Sequence, residues 1–169
     1  MGQTNYRVYV RRGDQRAVFF VGTSIDSSAY RLPRVLWGMP WQRARYRFDM
    51  SADGEQQVRA TGVWPLSLRL GPGRSVESLA SLEGFSDLSQ ALNRLTQPSV
   101  GYYARSRGEM GRYSIWHPPY QVQATDVYEA SFGVLDALDI VPFARQVDVH
   151  SALVVDECPY LIYLPPSRV

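Results

Sequence analysis

Apolar and polar positions alternate along much of the chain. Residues 5–12 place Tyr6, Val8 and Val10 on one face and Asn5, Arg7, Tyr9 and Arg11 on the other, which is the period of a half-buried strand. Gly13-Asp14 reads as a turn, and residues 16–23 as the returning strand of a hairpin. Over 41–50, Ala44, Tyr46, Phe48 and Met50 oppose Arg43, Arg45, Arg47 and Asp49. The turn Ala52-Asp53-Gly54 follows, then strands at 55–64 and 65–70 separated at Pro65. The same pattern predicts strands at 99–106, 111–117, 146–156 and 159–164.

Three stretches carry helical spacing instead. Ser27 and Ser28 are suited to cap a short helix reaching Trp37, with Pro33 tolerated only in its first turn. Phe85, Leu88, Leu92 and Leu95 predict a helix over about 78–96. Asp126 with Glu129 three residues on resembles a capping box, opening a helix with Ala130, Val134, Leu135 and Leu138. Many strands and few helices in 169 residues predict one α+β domain, residues 1–169, built around an antiparallel, barrel-like sheet.

Composition narrows the chemistry. All 18 cationic residues are arginine, so Schiff-base lysine chemistry, a P-loop lysine and a lysine-held pyridoxal cofactor are excluded together. A GC-rich genome gives the same bias, with the same chemical consequence. Against 16 acidic residues the net charge is +2 and the arginines are scattered, which disfavours nucleic acid as a partner. The single cysteine, Cys158, leaves no internal disulfide framework and no cysteine-rich zinc site. No apolar run reaches the roughly 20 residues that span a bilayer, and no leader pattern is visible. The expectation is a cytoplasmic protein without a membrane partner.

Several motifs, taken in order, resemble the uncharacterised bacterial domain-of-unknown-function family 2071. Asn5-Tyr6-Arg7-Val8-Tyr9-Val10 is similar to that family's "N-x-R-T-Y-V" strand, and Phe19-Phe20 leads through Ser24 and Asp26 into a helix as it does there. Gly38-Met39-Pro40-Trp41 resembles "G-L-P-Y", and Ser81-Leu82-Glu83-x-Phe85 matches an "S-L-E-x-F" helix start. Trp116-His117-Pro118-Pro119-Tyr120 is similar to "H-H-P-P-W", and His150-Ser151 with Val154-Val155-Asp156 to the closing strand. The resemblance implies an acetoacetate-decarboxylase-like fold: an antiparallel β-barrel around a small-molecule pocket. Family members usually carry strands ahead of the first motif. The expectation is therefore a smaller barrel, or one completed by a second subunit in a homodimer. The decarboxylases of that superfamily use a Schiff-base lysine, a route closed to this chain.

Within that frame, the Asn5-Arg7-Tyr9 face would point inward if Tyr6, Val8 and Val10 pack against helices. Arg7 would then clamp a carboxylate or enolate with its planar fork, the alternative being an exposed arginine on an edge strand. Glu83 is a candidate general base in a closed site, or simply a well-placed charge at a helix start. His117, set by the rigid Pro118-Pro119 turn, is a candidate proton carrier, the alternative being a structural histidine bonded to a carbonyl. Asn5, Tyr103 and Trp116 are candidate substrate contacts, since barrels lined by Tyr and Trp suit flat hydrophobic ligands. His117 and His150 have no metal-ligand spacing, and neither G-x-S-x-G nor G-x-G-x-x-G occurs. No cofactor is expected. Arg43, Arg45 and Arg47 form a solvated exterior or attract an acidic ligand or carrier.

Three functions compete. The first is a cofactor-independent lyase, cyclase or isomerase acting on a keto-acid or polyketide-like substrate. The second is a noncatalytic barrel binding a small hydrophobic acid. The third is an assembly domain completed by a partner.

Overall fold

The computed structural model describes residues 1–79, 82–105, 108–155 and 159–169. Ser81, Asp156 and Cys158, singled out above, lie outside them. In chain order the elements are β1 (Gln3–Arg12), β2 (Gln15–Ile25), α1 (Arg31–Trp37), β3 (Trp41–Met50), β4 (Gln56–Gly62), β5 (Leu66–Leu70) and β6 (Arg74–Ser75). They continue with α2 (Leu88–Thr96), β7 (Val100–Ala104), β8 (Met110–Trp116), β9 (Gln123–Thr125), β10 (Val127–Phe132), α3 (Gly133–Ala137), β11 (Ala152–Val154) and β12 (Leu161–Arg168). The class is α+β, mostly sheet. Among the described residues no helix is long and apolar enough to cross a membrane.

The chain forms two compact units, and β3 contributes to both. The first comprises Met1–Arg45, Gln97–Pro118 and Pro159–Val169. In it β1 and β2 form the expected antiparallel hairpin. The remaining pairings are mixed rather than antiparallel throughout, because β2 runs parallel to both the start of β3 and β7. The cause for β3 lies in its connection. Residues 26–40, with α1, carry the chain back so that β3 starts in the direction of β2, as a parallel pair requires. The β7–β8 and β8–β12 pairs are antiparallel.

The crossover itself follows local rules. Ser27 Oγ accepts from the Ala29 N–H at 3.2 Å, capping a single 3-10 turn that runs into α1. Pro33 occupies the first turn of α1, where its missing N–H costs nothing.

The core of this unit covers both faces of its sheet. Val18, Phe20, Met39, Tyr103 and Tyr113 form one buried cluster, backed by Trp37, Trp41, Ile115 and Ile162. Ala17, Val100 and Tyr102 form the other, with Val10, Phe19 and Met110. Val10 thus packs against strand residues rather than against helices, and Val8 stays half exposed. Each large side chain buried this way contributes about 1.5–3 kcal/mol.

The second unit comprises Tyr46–Thr96 and Pro119–Cys158. Its strands follow the order β10-β5-β4-β3, beside a three-stranded sheet β11-β9-β6. The β3–β4 turn is closed by two bonds: the Glu55 N–H donates to the Ser51 hydroxyl at 3.1 Å, and the Ser51 N–H donates to the Glu55 carbonyl at 2.9 Å. Two helix expectations are corrected here. Residues 127–132 form β10 rather than a helix, paired antiparallel with β5, and α3 is confined to Gly133–Ala137. The acidic pair read as a cap is used otherwise: Asp126 binds Arg74 at 2.8 Å and Glu129 binds Arg69 at 2.9 Å. Val127, Tyr128 and Phe132 are β-branched or aromatic, which favours the strand.

The helix expected over 78–96 is α2, starting only at Leu88. Asp87 starts it, its carboxylate accepting from the Gln90 N–H at 2.7 Å while Gln90 Oε1 reaches back to the Ser86 N–H at 3.4 Å. The Gln90 N–H, and next the Ser86 hydroxyl at 3.0 Å, hold the Asp87 carboxyl below its ordinary range. Glu83 therefore does not open a helix; it sits exposed in the turn before Gly84. Likewise, among the described residues the strand expected over 146–156 is confined to Ala152–Val154, and His150 lies exposed outside it.

Candidate functional site

The Arg7 face of the first unit is set by a register shift. Along β1, Asn5, Arg7 and Tyr9 alternate onto one face, and their partners on β2 are Thr23, Phe20 and Val18. Those partners are spaced three and then two residues apart. The β-bulge between the Tyr6 and Arg7 pairs absorbs the extra residue, Val21, so Thr23 and Phe20 meet the same face. Thr23 confirms the geometry, donating its hydroxyl to Asn5 Oδ1 at 2.9 Å.

The same row continues across the sheet. Phe20 pairs with Tyr103, and Tyr103 with Gly111; Val18 pairs with Gly101, and Gly101 with Tyr113. A tyrosine on each strand thus lies opposite a glycine on the other. A Cβ on Gly101 would fall 2.8 Å from Phe20 and 2.9 Å from Tyr113, and one on Gly111 would enter the Tyr103 ring. The glycines are the space in which the rings lie. The ring centroids stand 5.4 Å apart for Phe20–Tyr113 and 6.0 Å for Tyr103–Tyr113.

Electrostatics separate the two tyrosines. Tyr103 is fully buried and donates its hydroxyl to the Trp37 carbonyl at 3.0 Å, so it serves the core. Burial raises its pKa, against a smaller opposing pull from Arg105. Burial pushes the Tyr113 phenol much further up, with the Arg7 guanidinium pulling it down and the Tyr103 and Tyr160 phenols pushing it up. Burial thus favours the neutral O–H form of Tyr113, on the strand face that Arg7 shares through Phe20.

A polar rim surrounds this pair. Arg7 donates Nη2 to the Tyr9 hydroxyl at 3.2 Å and lies 5.5 Å over the Tyr9 ring. Gln3 donates to Asn5 Oδ1 at 2.9 Å and accepts from the Tyr160 hydroxyl at 2.7 Å. Arg7 is half-buried and Tyr9 half exposed, so the face is reachable from solvent. It can offer an anion a planar guanidinium fork and several hydroxyl and amide donors.

Of the other sequence candidates, Trp116 turns to the opposite face of β8, Glu83 and His150 belong to the second unit, and His117 directly follows the strand that carries Tyr113. Alternation along β8 puts Ile115 with Tyr113 and turns Trp116 to the opposite face, where it is 54% exposed beside its partner Leu161. His117 follows β8 directly, half-buried, with Nδ1 2.9 Å from the Pro118 carbonyl oxygen. His150 Nδ1 lies 3.2 Å from the Ser151 hydroxyl. Among the described residues no three His, Cys, Asp or Glu gather as metal ligands would.

Sequence reasoning missed Tyr113, Tyr160 and Gln3. For Tyr113 a signal exists: β7 and β8 both read Gly-x-Tyr, as Gly101-Tyr102-Tyr103 and Gly111-Arg112-Tyr113. In the register that β7 and β8 adopt, that repetition sets each ring over the other strand's glycine.

Against known proteins, the model of the domain-of-unknown-function family 2071, described as an uncharacterized conserved protein, matches residues 1–156. The chain belongs to that family. No curated protein and no solved structure matches it.

Proposed function

We propose that this member of the domain-of-unknown-function family 2071 is a cofactor-independent lyase, cyclase or isomerase acting on a keto-acid or polyketide-like substrate at its Arg7 face. One observation carries the reading: Arg7, half-buried, pairs across the sheet with Phe20, whose ring lies 5.4 Å from that of Tyr113, a phenol whose pKa burial raises. An enolate or carboxylate oxygen needs that combination, a cation fixed in place and a neutral donor that does not ionise beside it. Arg7 holds the anionic oxygen, Tyr9 and Tyr113 donate to it, and Asn5 and Gln3 position the neighbouring polar group. His117 moves the proton. Glu83 plays no part, since it is exposed and the base role rests on a closed site. The acetoacetate-decarboxylase-like barrel implied by the motifs, and a cytoplasmic location, belong to the same proposal. A chain without lysine then stabilises the charge electrostatically where the decarboxylases of that fold use a covalent imine.

A second reading, a noncatalytic receptor for a small hydrophobic acid, draws support from His117. Its ring nitrogen is turned to the adjacent Pro118 carbonyl, the mark of a histidine that holds a turn. Incubation with a panel of 2-keto, 3-keto and aromatic keto acids, followed by mass spectrometry, separates the two. The enzyme reading expects product, a loss of about 100-fold in kcat/KM for Arg7→Ala, and a marked loss for His117→Ala. Saturable binding with no product, lost in Arg7→Ala and kept in His117→Ala, establishes the receptor instead.

A further inference from the structure

The crossover between β2 and β3 carries an unusual segregation of charge. Residues 27–48 contain Arg31, Arg34, Arg43, Arg45 and Arg47 and no Asp or Glu, in a chain whose whole net charge is +2. Within the first unit three of these arginines converge: Arg31 and Arg34 stand at i and i+3 on α1, and Arg34 Nη1 donates to the Trp41 carbonyl at 3.4 Å, at the start of the strand that carries Arg43. All three are exposed, and among the described residues none has a carboxylate within ion-pair distance. Like charges gathered this way repel, and a surface that keeps them awaits a counter-charge.

The helix between them is apolar on the outside. Leu32, Val35 and Leu36 stand at i, i+3 and i+4 on α1 and are 60%, 79% and 56% exposed, while only Pro33 of that helix is buried. A helix normally turns such a stripe inward. Here the stripe faces water, flanked by arginines.

We propose that α1 is a peripheral membrane contact, seating Leu32, Val35 and Leu36 in the headgroup boundary of an anionic bilayer while Arg31, Arg34 and Arg43 engage its phosphates. Apolar side chains beside arginines with no interspersed acid match a negatively charged interface, which supplies both an apolar depth and a field of counter-charge. An acidic protein groove would supply the charge but needs a particular shape; a bilayer accommodates a short convex helix without one. That no helix among the described residues is long and apolar enough to cross a membrane bears on crossing one, not on lying against one. This proposal departs from the expectation of no membrane partner.

The test is vesicle co-sedimentation of the full chain. Phosphatidylglycerol–phosphatidylcholine vesicles are compared with pure phosphatidylcholine at low and high salt. Binding to the anionic vesicles that falls with salt is expected. The variant Arg31→Gln/Arg34→Gln/Arg43→Gln should lower partitioning by about 100-fold, each arginine near such a surface being worth about fivefold. Val35→Ser/Leu36→Ser should weaken binding at every salt concentration. Circular dichroism establishes that both surface variants keep the fold. Equal binding to both vesicle types, binding to neither, or unchanged binding by the folded triple variant overturns the proposal. So does retention on heparin or polyaspartate without vesicle binding, which would assign the arginines to a nucleic acid-like or protein partner.

Discussion

Arg69 on β5 and Arg7 on β1 are held by different kinds of neighbour. Arg69, in the second unit, is set between carboxylates: Glu129 at 2.9 Å and Glu55 at 3.9 Å, with the Tyr128 ring 5.0 Å beneath it. It ties β5 to β10, and its charge is spent within the fold. Arg7, in the first unit, is set among phenols, with Tyr9 as acceptor and Tyr113 within reach of its charge. The second unit thus uses cation and anion as a clasp, and the first sets a guanidinium among aromatic hydroxyls.

The contrast can be broken where the Arg7 face depends on its rings. Tyr103→Ala should cost about 3–5 kcal/mol of stability by urea unfolding, since it empties a fully buried ring site. Gly111→Val should cost about 3 kcal/mol, because its side chain would occupy the Tyr103 ring. The double variant should cost clearly less than the sum, as the clash leaves with the ring. Additive losses would mean that the glycine is not ring space.

A smaller effect separates the two regions by pH. Tyr113 and Tyr103 have folded pKa values raised above their unfolded value of 10.0. Above that pH the unfolded chain loses protons that the folded chain keeps, so stability is fully present below pH 10 and lost as pH rises beyond it. Tyr113→Phe should flatten that alkaline loss, whereas Glu129→Gln should leave it unchanged. A loss of equal steepness in Tyr113→Phe would remove the buried phenol from the account.

Tyr103→Phe should cost about 1 kcal/mol through its bond to the Trp37 carbonyl. Smallest of all, Arg69→Ala should cost about 0.5 kcal/mol or less, because both side chains of its closest pair are over a third exposed and screened. A larger cost, measured by the same unfolding curves, would make that clasp a principal support of the second unit.

The sequence was most readable where one face of a strand is buried. The first hairpin, β3, β4, β5, β7 and β8 emerge from alternation to within a few residues, as alternation is itself the trace of burial on one side. It misled at 126–138, where acidic residues at capping spacing are ion-pair partners of Arg69 and Arg74 from strands far away in the chain. Residues 78–96 misled for the converse reason: Asp87 and Gln90 supply a real cap inside the apolar run, so the helix begins late. At the candidate site, Asn5, Arg7 and Tyr9 share a face by simple parity, which sequence reveals. Tyr113 joins them through strand pairing and Tyr160 through its hydrogen bond to Gln3, both from positions distant in sequence that local pattern does not encode. The bulge at Val21 is equally silent, since its evidence is a mismatch between two strands rather than a feature of either.

The Gly-x-Tyr of β7 and the Gly-x-Tyr of β8 have a consequence beyond making room for rings. With Gly101 opposite Tyr113 and Tyr103 opposite Gly111, each ring has a vacancy to enter. Slide one strand by two residues in one direction and glycine faces glycine, leaving a hole; slide it in the other and tyrosine faces tyrosine, with no room for either. Such slips conserve every inward and outward position, so hydrophobic patterning alone does not forbid them. The four residues act as a key cut in two halves that close at a single offset. A strand pair that carries its own indexing fixes where Tyr113 stands relative to Arg7 before any ligand arrives.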